Sequence, residues 1–247
     1  MTITSSHNEK LKEIRRLARR RARDDSGRFV AEGEDLVAAA AAAGWSPVVV
    51  LAAAGSGLAG EQVEDALLAG VSGLGSGTRQ LGVYKARWGA PAGPLCVALW
   101  GVGDPGNVGT ILRSALAFGA SSVVLGPGCA DPFGPKAVRA SMGAIFDVAV
   151  ARAASVAELP GKHVALAAGA GEPLSGPAGG ELSLLVGAER AGLPADVIAA
   201  CDRVAHIPIA TESLNAAMAA TIALYELTRG AGGAGRAGNA GPTMAPG

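Results

Sequence analysis

Leu11, Ile14, Ala18 and Ala22 recur at helical spacing in an otherwise charged stretch, which predicts an amphipathic helix with a basic outer face. A second helix is expected over about 34–43. It should stop at Gly44, the residue type that most readily ends a helix in a left-handed turn. The run Pro47-Val48-Val49-Val50-Leu51 predicts a buried strand, and 61–69 a further helix. Between 70 and 82 Gly and Ser dominate and no period emerges. Residues 89–94, Gly-Ala-Pro-Ala-Gly-Pro, are a linker by composition. From Leu95 the pattern changes. Apolar runs at 95–100, 122–125, 145–150, 164–168, 182–186 and 204–209 alternate with helical segments. One of these helices spans 107–118 with Val108, Ile111, Leu112, Ala115 and Phe118 as its apolar stripe, and the last runs over about 213–228 to Gly230. Continuous apolar strands separated by helices predict an α/β fold with a mainly parallel sheet covered on both faces. The expected division is a domain at 1–88, the linker 89–94, a domain at 95–230, and a Gly/Ala/Pro tail at 231–247 too poor in large apolar side chains to fold.

Composition narrows the classes. The chain has 247 residues, enough for one large or two modest domains. Its mean hydropathy of +0.33 comes largely from alanine, and no window of about eighteen uninterrupted large apolar residues suggests a membrane span. Net charge is zero, with 21 basic and 21 acidic residues, which argues against a protein held to nucleic acid by charge alone. The balance hides an asymmetry, because residues 1–30 carry nine basic and four acidic side chains. Such a segment is either a solvated helix face or an arm that tracks phosphates. Three widely spaced cysteines, Cys96, Cys129 and Cys201, suggest neither a disulfide framework nor a zinc site. No signal-peptide pattern is visible, so a cytoplasmic protein is expected.

Three segments carry candidate chemistry. Gly101, Gly103 and Gly106 satisfy GxGxxG between a strand and a helix, the context of a dinucleotide site and hence of a nicotinamide-dependent oxidoreductase. Against this, Pro105 removes an N–H where pyrophosphate needs donors, and no acid ends the following strand at Gly126. In the same helix Arg113 points away from the apolar stripe, either as an ordinary exposed arginine or as a guanidinium aimed at a ligand. The second segment, 184–194, turns from a buried strand through small residues and presents Glu189. In the third, His206-Ile207-Pro208-Ile209 precedes Ser213-Leu214-Asn215, with Ser213 a candidate helix cap.

Taken in order, the segments 104–120, 187–193 and 207–215 resemble the three motifs of the SpoU/TrmH family, RNA 2′-O-ribose methyltransferases of the SPOUT class. Asp131-Pro132-Phe133 and Arg139-Ala140-Ser141-Met142-Gly143 are similar to intervening family segments. The resemblance spans about 94–229 and extends weakly to 5–51. Two positions depart from the pattern. The loop 210–212 is about two residues short, and Ala217 stands where a hydroxyl is frequent.

The resemblance implies a SPOUT-type trefoil knot in the larger domain and a smaller N-terminal α/β (L30e-like) domain that binds RNA. It implies S-adenosyl-L-methionine as cofactor, contacted by Leu166, Ala167, Ala168, Gly169, Gly187, Glu189, Gly192, Ile207, Ile209 and Leu214. It implies catalytic roles for Asn107, Arg113, Glu189, Ser213 and Asn215. RNA contacts are expected from Asn8, Lys10, Arg15, Arg19, Arg23, Arg113 and Arg139. It further implies a homodimer and no metal. The substrate is expected to be rRNA, with tRNA or a non-catalytic RNA-binding role as alternatives.

Overall fold

The computed structural model describes residues 2–73 and 77–229. The expected tail 231–247 and the helix stop at Gly230 lie outside the described residues. The first unit is built from α1 (Glu9–Leu17), α2 (Arg20–Ser26), β1 (Arg28–Glu32), α3 (Glu34–Ala42), β2 (Val49–Ala53), β3 (Glu61–Val63), α4 (Asp65–Ala69) and β4 (Gln80–Lys85). Its four strands lie in the order β1-β4-β2-β3, antiparallel except for the β2–β3 pair. Leu11, Ile14 and Leu17 of α1 pack on Leu51, Val63, Leu68, Leu81 and Val83.

Several local expectations shift here. The basic helix is two helices, because Arg19 is extended (φ −93°, ψ 133°). Leu17 is buried in place of the expected Ala18. Residues 61–63 are a short strand rather than the start of a helix. β4 begins inside the stretch 70–82 that showed no period and runs three residues past it. Gly82 interrupts its pattern because a Cβ there would stand 2.6 Å from the Tyr84 ring.

Residues 86–94 carry no regular secondary structure. They are pinned by Gly89 N–H to Val150 O at 2.8 Å and by Ala92 N–H to Ser122 Oγ at 3.0 Å. Beyond them follow β5 (Leu95–Leu99), α5 (Pro105–Ala117), β6 (Ser122–Leu125), α6 (Pro135–Ala140), β7 (Ala149–Arg152), β8 (Lys162–Leu166), β9 (Glu172–Pro173), β10 (Leu182–Val186), α7 (Ala195–Ala199), β11 (Arg203–His206) and α8 (Ala216–Thr228). The seven strands form one sheet in the order β7-β6-β5-β10-β8-β11-β9, parallel at every pairing. Alternate residues of β5 serve opposite cores: Leu95, Val97 and Leu99 face one, Cys96 and Ala98 the other. Apolar residues on both faces are what a covered parallel sheet requires. β7 begins four residues later than the expected run at 145, which opens with a 3₁₀ turn (Ala144–Phe146). β11 ends at His206, before Pro208. On the sheet, α5 and α6 approach closely at Gly109, where a Cβ would lie 2.3 Å from Ala137 O.

The two units share a core. Phe29 sits among Trp45, Tyr84, Phe133 and Phe146, with ring centroids 4.9–6.2 Å away. Beside this cluster Arg23 is buried against Asp131 of the second unit, with Nε–Oδ2 2.8 Å and Nη2–Oδ2 2.7 Å. Arg23 Nη1 also donates to Leu17 O and Ala18 O, and Asp131 Oδ1 accepts from Phe133 N. No helix among the described residues is long and apolar enough to cross a membrane.

Removing one member of a buried, fully bonded ion pair leaves an uncompensated charge. Asp131→Ala is therefore expected to lower unfolding free energy by about 3–5 kcal/mol in denaturant titration. A loss under ~1 kcal/mol would show that the pair does not hold the two units together.

Candidate active site

Ligands of open parallel sheets bind beyond the carboxyl ends of the strands. Three loops meet there. The first follows β5 and enters α5. Asp104 Oδ1 caps that helix by accepting from Asn107 N at 3.0 Å, with Pro105 in the first turn, where its missing N–H costs nothing. Lys136 Nζ donates to Asp104 Oδ2 at 2.6 Å. The lysine, helped by the Asn107 N–H, holds the Asp104 carboxyl below its ordinary range. A helix N-terminus already holding the chain's own carboxylate is poorly suited to pyrophosphate, so the glycines at 101, 103 and 106 do not form a dinucleotide cradle.

The second loop follows β10. Gly187 is pressed against the backbone of Gly192 and Leu193, 2.3–2.5 Å from where a Cβ would be. Ala188 and Gly192 exchange backbone hydrogen bonds of 3.1 and 2.8 Å, and Gly192 has φ +67°. This tight turn leaves Glu189 projecting. The third loop runs from β11 to α8, whose cap is Asn215 and not the expected Ser213. Asn215 Oδ1 accepts from Ala217 N (2.9 Å) and Met218 N (3.3 Å).

The cap fixes which way the Asn215 amide faces. Its oxygen is committed to the helix, so its Nδ2 points outward and donates to Glu189 Oε1 (3.2 Å) and Asn107 Oδ1 (3.1 Å). Asn107 Nδ2 in turn donates to Glu189 Oε1. Asn107, Glu189 and Asn215 thus close a three-membered network joining the starts of α5 and α8 to the loop after β10.

Beside the network lies a cleft of about 670 Å³. Leu166, Ala167, Ala168, Gly187, Glu189, Gly192, Ile207, Ile209, Ser213 and Leu214 all line it. Gly169 does not; its neighbour Ala170 does. Arg190 and Glu212, charged lining residues inside the segments 187–193 and 207–215, had been given no role from the sequence. Arg113 is exposed on α5, six residues or about 9 Å beyond Asn107 along the helix, and makes no ion pair among the described residues.

The expected RNA contacts divide. Asn8 caps α1 through Lys10 N at 3.0 Å, and the Lys10 ammonium pairs with Glu61. Arg15 donates to Ser6 O at 3.0 Å and, with Arg139, lines a cavity of about 220 Å³ between the units. Arg19 is exposed. Arg23, expected to contact RNA, is instead buried, with its guanidinium bonded to Asp131 and two carbonyls.

Residues 94–225 match the SpoU rRNA Methylase family, and residues 8–74 match the MRM3-like substrate binding domain. The chain belongs to the SpoU rRNA Methylase family. Among curated relatives, the 23S rRNA (guanosine(2553)-2′-O)-methyltransferase RlmP of Bacillus subtilis is 38% identical over 135 residues, 51% of this chain and 54% of that one. The chain spans about half the length of the curated relatives it matches. Two solved structures align over nearly their whole length. The AdoMet-bound rRNA methyltransferase of Sinorhizobium meliloti gives a TM-score of 0.84 at 30% identity, covering 93% of this chain and 97% of that one. The SpoU methyltransferase AviRb of Streptomyces viridochromogenes, in complex with AdoMet, gives 0.81 at 27% identity, covering 90% and 98%. The first motif segment of this SpoU chain, 104–120, is thus chiefly α5, and the second and third, 187–193 and 207–215, are loops that meet the start of that helix at the carboxyl edge of the sheet.

The double role of Asn215 separates in two variants. Asn215→Ser keeps a capping oxygen and should stay within a few tenths of a kcal/mol of the parent, while Asn215→Ala should lose about 1 kcal/mol. Equal thermal shifts for both would show that the cap contributes nothing.

Proposed function

We propose that the chain is an S-adenosylmethionine-dependent methyltransferase acting on a ribose 2′-hydroxyl of rRNA in the cytoplasm. The observation that carries this reading is the Asn107–Glu189–Asn215 network at the edge of the 670 Å³ cleft. The cleft fits the cofactor's chemistry. Its volume is in the range of small-molecule sites, and Leu166, Val186, Leu193, Ile207 and Ile209 offer apolar walls. Two carboxylates, Glu189 and Glu212, against one guanidinium, Arg190, favour a ligand carrying sulfonium and ammonium charge. When bound, S-adenosylmethionine supplies a methyl group already activated on sulfur, so the protein's work is orientation and charge stabilisation.

In this reading Leu166–Ala168, the turn after β10 and residues 207–214 hold the cofactor. Glu189 locks the amides of Asn107 and Asn215, so the edge facing the ribose does not reorganise during transfer. Arg113 is not a base, because a guanidinium keeps its proton. Its role is to bind a substrate phosphate and stabilise negative charge developing on the 2′-oxygen. The trefoil knot belongs to the same reading. It is supported by the insertion of β10 between β5 and β8 and by the return of α8 onto α5, where Ser114 and Thr221 hydroxyls meet at 2.6 Å.

A homodimer is part of the proposal. Met218, Ile222 and Tyr225 form an exposed stripe on α8, with Leu116 exposed on α5 and three residues from Arg113. Four large apolar side chains on two packed helices suit burial against a second copy.

Calorimetric titration should show binding of S-adenosylmethionine and S-adenosylhomocysteine and none of NAD. Arg113→Ala should bind both while methyl transfer to rRNA falls about 10²-fold or more. Near-parental turnover would remove Arg113 from the mechanism, and a folded protein that binds neither cofactor would leave RNA binding alone. Ile222→Glu should convert a dimer to a monomer by light scattering. A parent that is already monomeric at micromolar concentration would end the dimer proposal.

A further inference from the structure

A second recess opens on the same carboxyl edge of the large sheet, over the ends of β6 and β7. It measures about 600 Å³, and its walls include Arg20, Trp88, Gly126, Pro127, Gly128 and Arg152. Trp88 stands out among the three tryptophans. It is 38% exposed, against 8% for Trp45 and 5% for Trp100. Trp45 gives its indole N–H to Phe146 O at 2.8 Å, whereas the Trp88 N–H has no acceptor among the described residues. The Arg152 guanidinium lies over the Trp88 ring, 3.8 Å from its centroid, and Phe133 buttresses the ring edge-on at 5.1 Å. A cation over an indole is common in proteins and is not by itself a site. Here the Arg152 side chain over the ring is itself 58% exposed.

Three cations, Arg20, Arg23 and Arg152, stand around the recess against three carboxylates, Asp24, Asp131 and Glu158, so the local charge balances. Arg20 and Arg152 share one carboxylate, Asp24, at 3.6 and 3.9 Å. Of the recess acids, Asp131 is taken by Arg23, and Glu158 accepts from Ala154 N and Ser155 N. Backbone hydrogen bonds tie the recess to the loop that enters the candidate active site. Gly101 N donates to Pro127 O at 3.0 Å, Ala130 N to Val102 O at 2.9 Å, and the loop holding Gly101 and Val102 continues into Asp104 and Asn107. With strands about 4.8 Å apart, the β6–β7 boundary lies about 10 Å along the edge from the β5–β10 boundary.

We propose that this recess binds a nucleobase of the substrate RNA that flanks the methylated nucleotide, stacked on the Arg152 guanidinium with Trp88 beneath it. The inference rests on the RNA methyltransferase reading above. Single-stranded RNA is recognised by stacking unpaired bases on aromatic rings or on arginine planes. The stack supplies such a plane, Arg20 supplies charge for an adjoining phosphate, and the Trp88 N–H supplies a donor. Neither Trp88 nor Arg152 has a role in cofactor binding, so the recess acts on RNA affinity alone.

The test uses the full chain and a short single-stranded oligoadenylate. Binding should quench tryptophan fluorescence in the parent, and the quench should vanish in Trp88→Phe, since the other two tryptophans are buried. Arg152→Ala should weaken the oligonucleotide about tenfold. Arg152→Lys should restore little of that, because an ammonium keeps the charge and loses the plane. S-adenosylmethionine affinity should be unchanged in all three. Full rescue by lysine, unquenched fluorescence on saturable binding, or no loss in Arg152→Ala would each overturn the subsite. Parental S-adenosylmethionine binding and methyl transfer alongside any of those results would leave the enzymatic reading standing. Loss of both in the parent itself would instead remove that reading, and the subsite's claim on a methylated RNA with it.

Discussion

The buried pair of Arg23 and Asp131, set against the Phe29 aromatic cluster, fixes everything that has to act across the two units. Arg23 reaches back to the carbonyls that end α1 and forward to the loop after β6. It thereby sets the angle between the basic helices and the carboxyl edge of the sheet. The aromatic cluster does the same with shape. Phe29, Tyr84 and Trp45 come from the first unit and Phe133 and Phe146 from the second, so sliding one past the other would unpack five rings. With Trp88 edge-on to Phe133, six of the nine aromatic residues in the chain sit at this seam. A composition so poor in aromatic residues has concentrated them where the two units must be held in register.

The candidate site follows from the parallel sheet. Because every pairing is parallel, all the strands deliver their following loops to one edge, and small residues let those loops crowd together. Gly187 permits the turn after β10 to fold onto itself, and Gly109 lets α5 settle on α6. Capping then turns helix ends into site geometry. Asp104 and Asn215 satisfy the first N–H groups of α5 and α8, and Asn215 carries its spare amide hydrogens to Glu189.

The sequence carried the second unit more legibly than the first. The runs at 122–125 and 182–186 coincide with β6 and β10, because strands buried on both faces are apolar at nearly every position, the buried Ser122 and Ser183 excepted. The first unit is smaller; β4 is buried on both faces but is broken by Gln80 and Gly82, and β3 has three residues, so neither left a period to detect. For the site, Asn107, Glu189 and Asn215 were named from their motifs, but their hydrogen bonding to one another depends on tertiary folding that spacing does not encode. Arg23 was misjudged for the opposite reason. In sequence it is one of nine basic residues among the first thirty, and only its distant partner at 131 distinguishes a structural ion from a phosphate-seeking one. Trp88 and Arg152 carried no signal at all, since they lie 64 positions apart and in no motif.

The segment between His206 and Asn215 is a span with both abutments fixed. At one end His206 O is held by Leu174 N–H (2.7 Å); at the other Asn215 is tied to α8, Asn107 and Glu189. Changes in the number of residues between the abutments are therefore absorbed as a higher or lower arch over the cleft, without moving the helix or the network. The 210–212 stretch is then a matter of aperture. It sets how far the cleft is roofed, while the hydrogen-bonded edge stays where the anchors hold it.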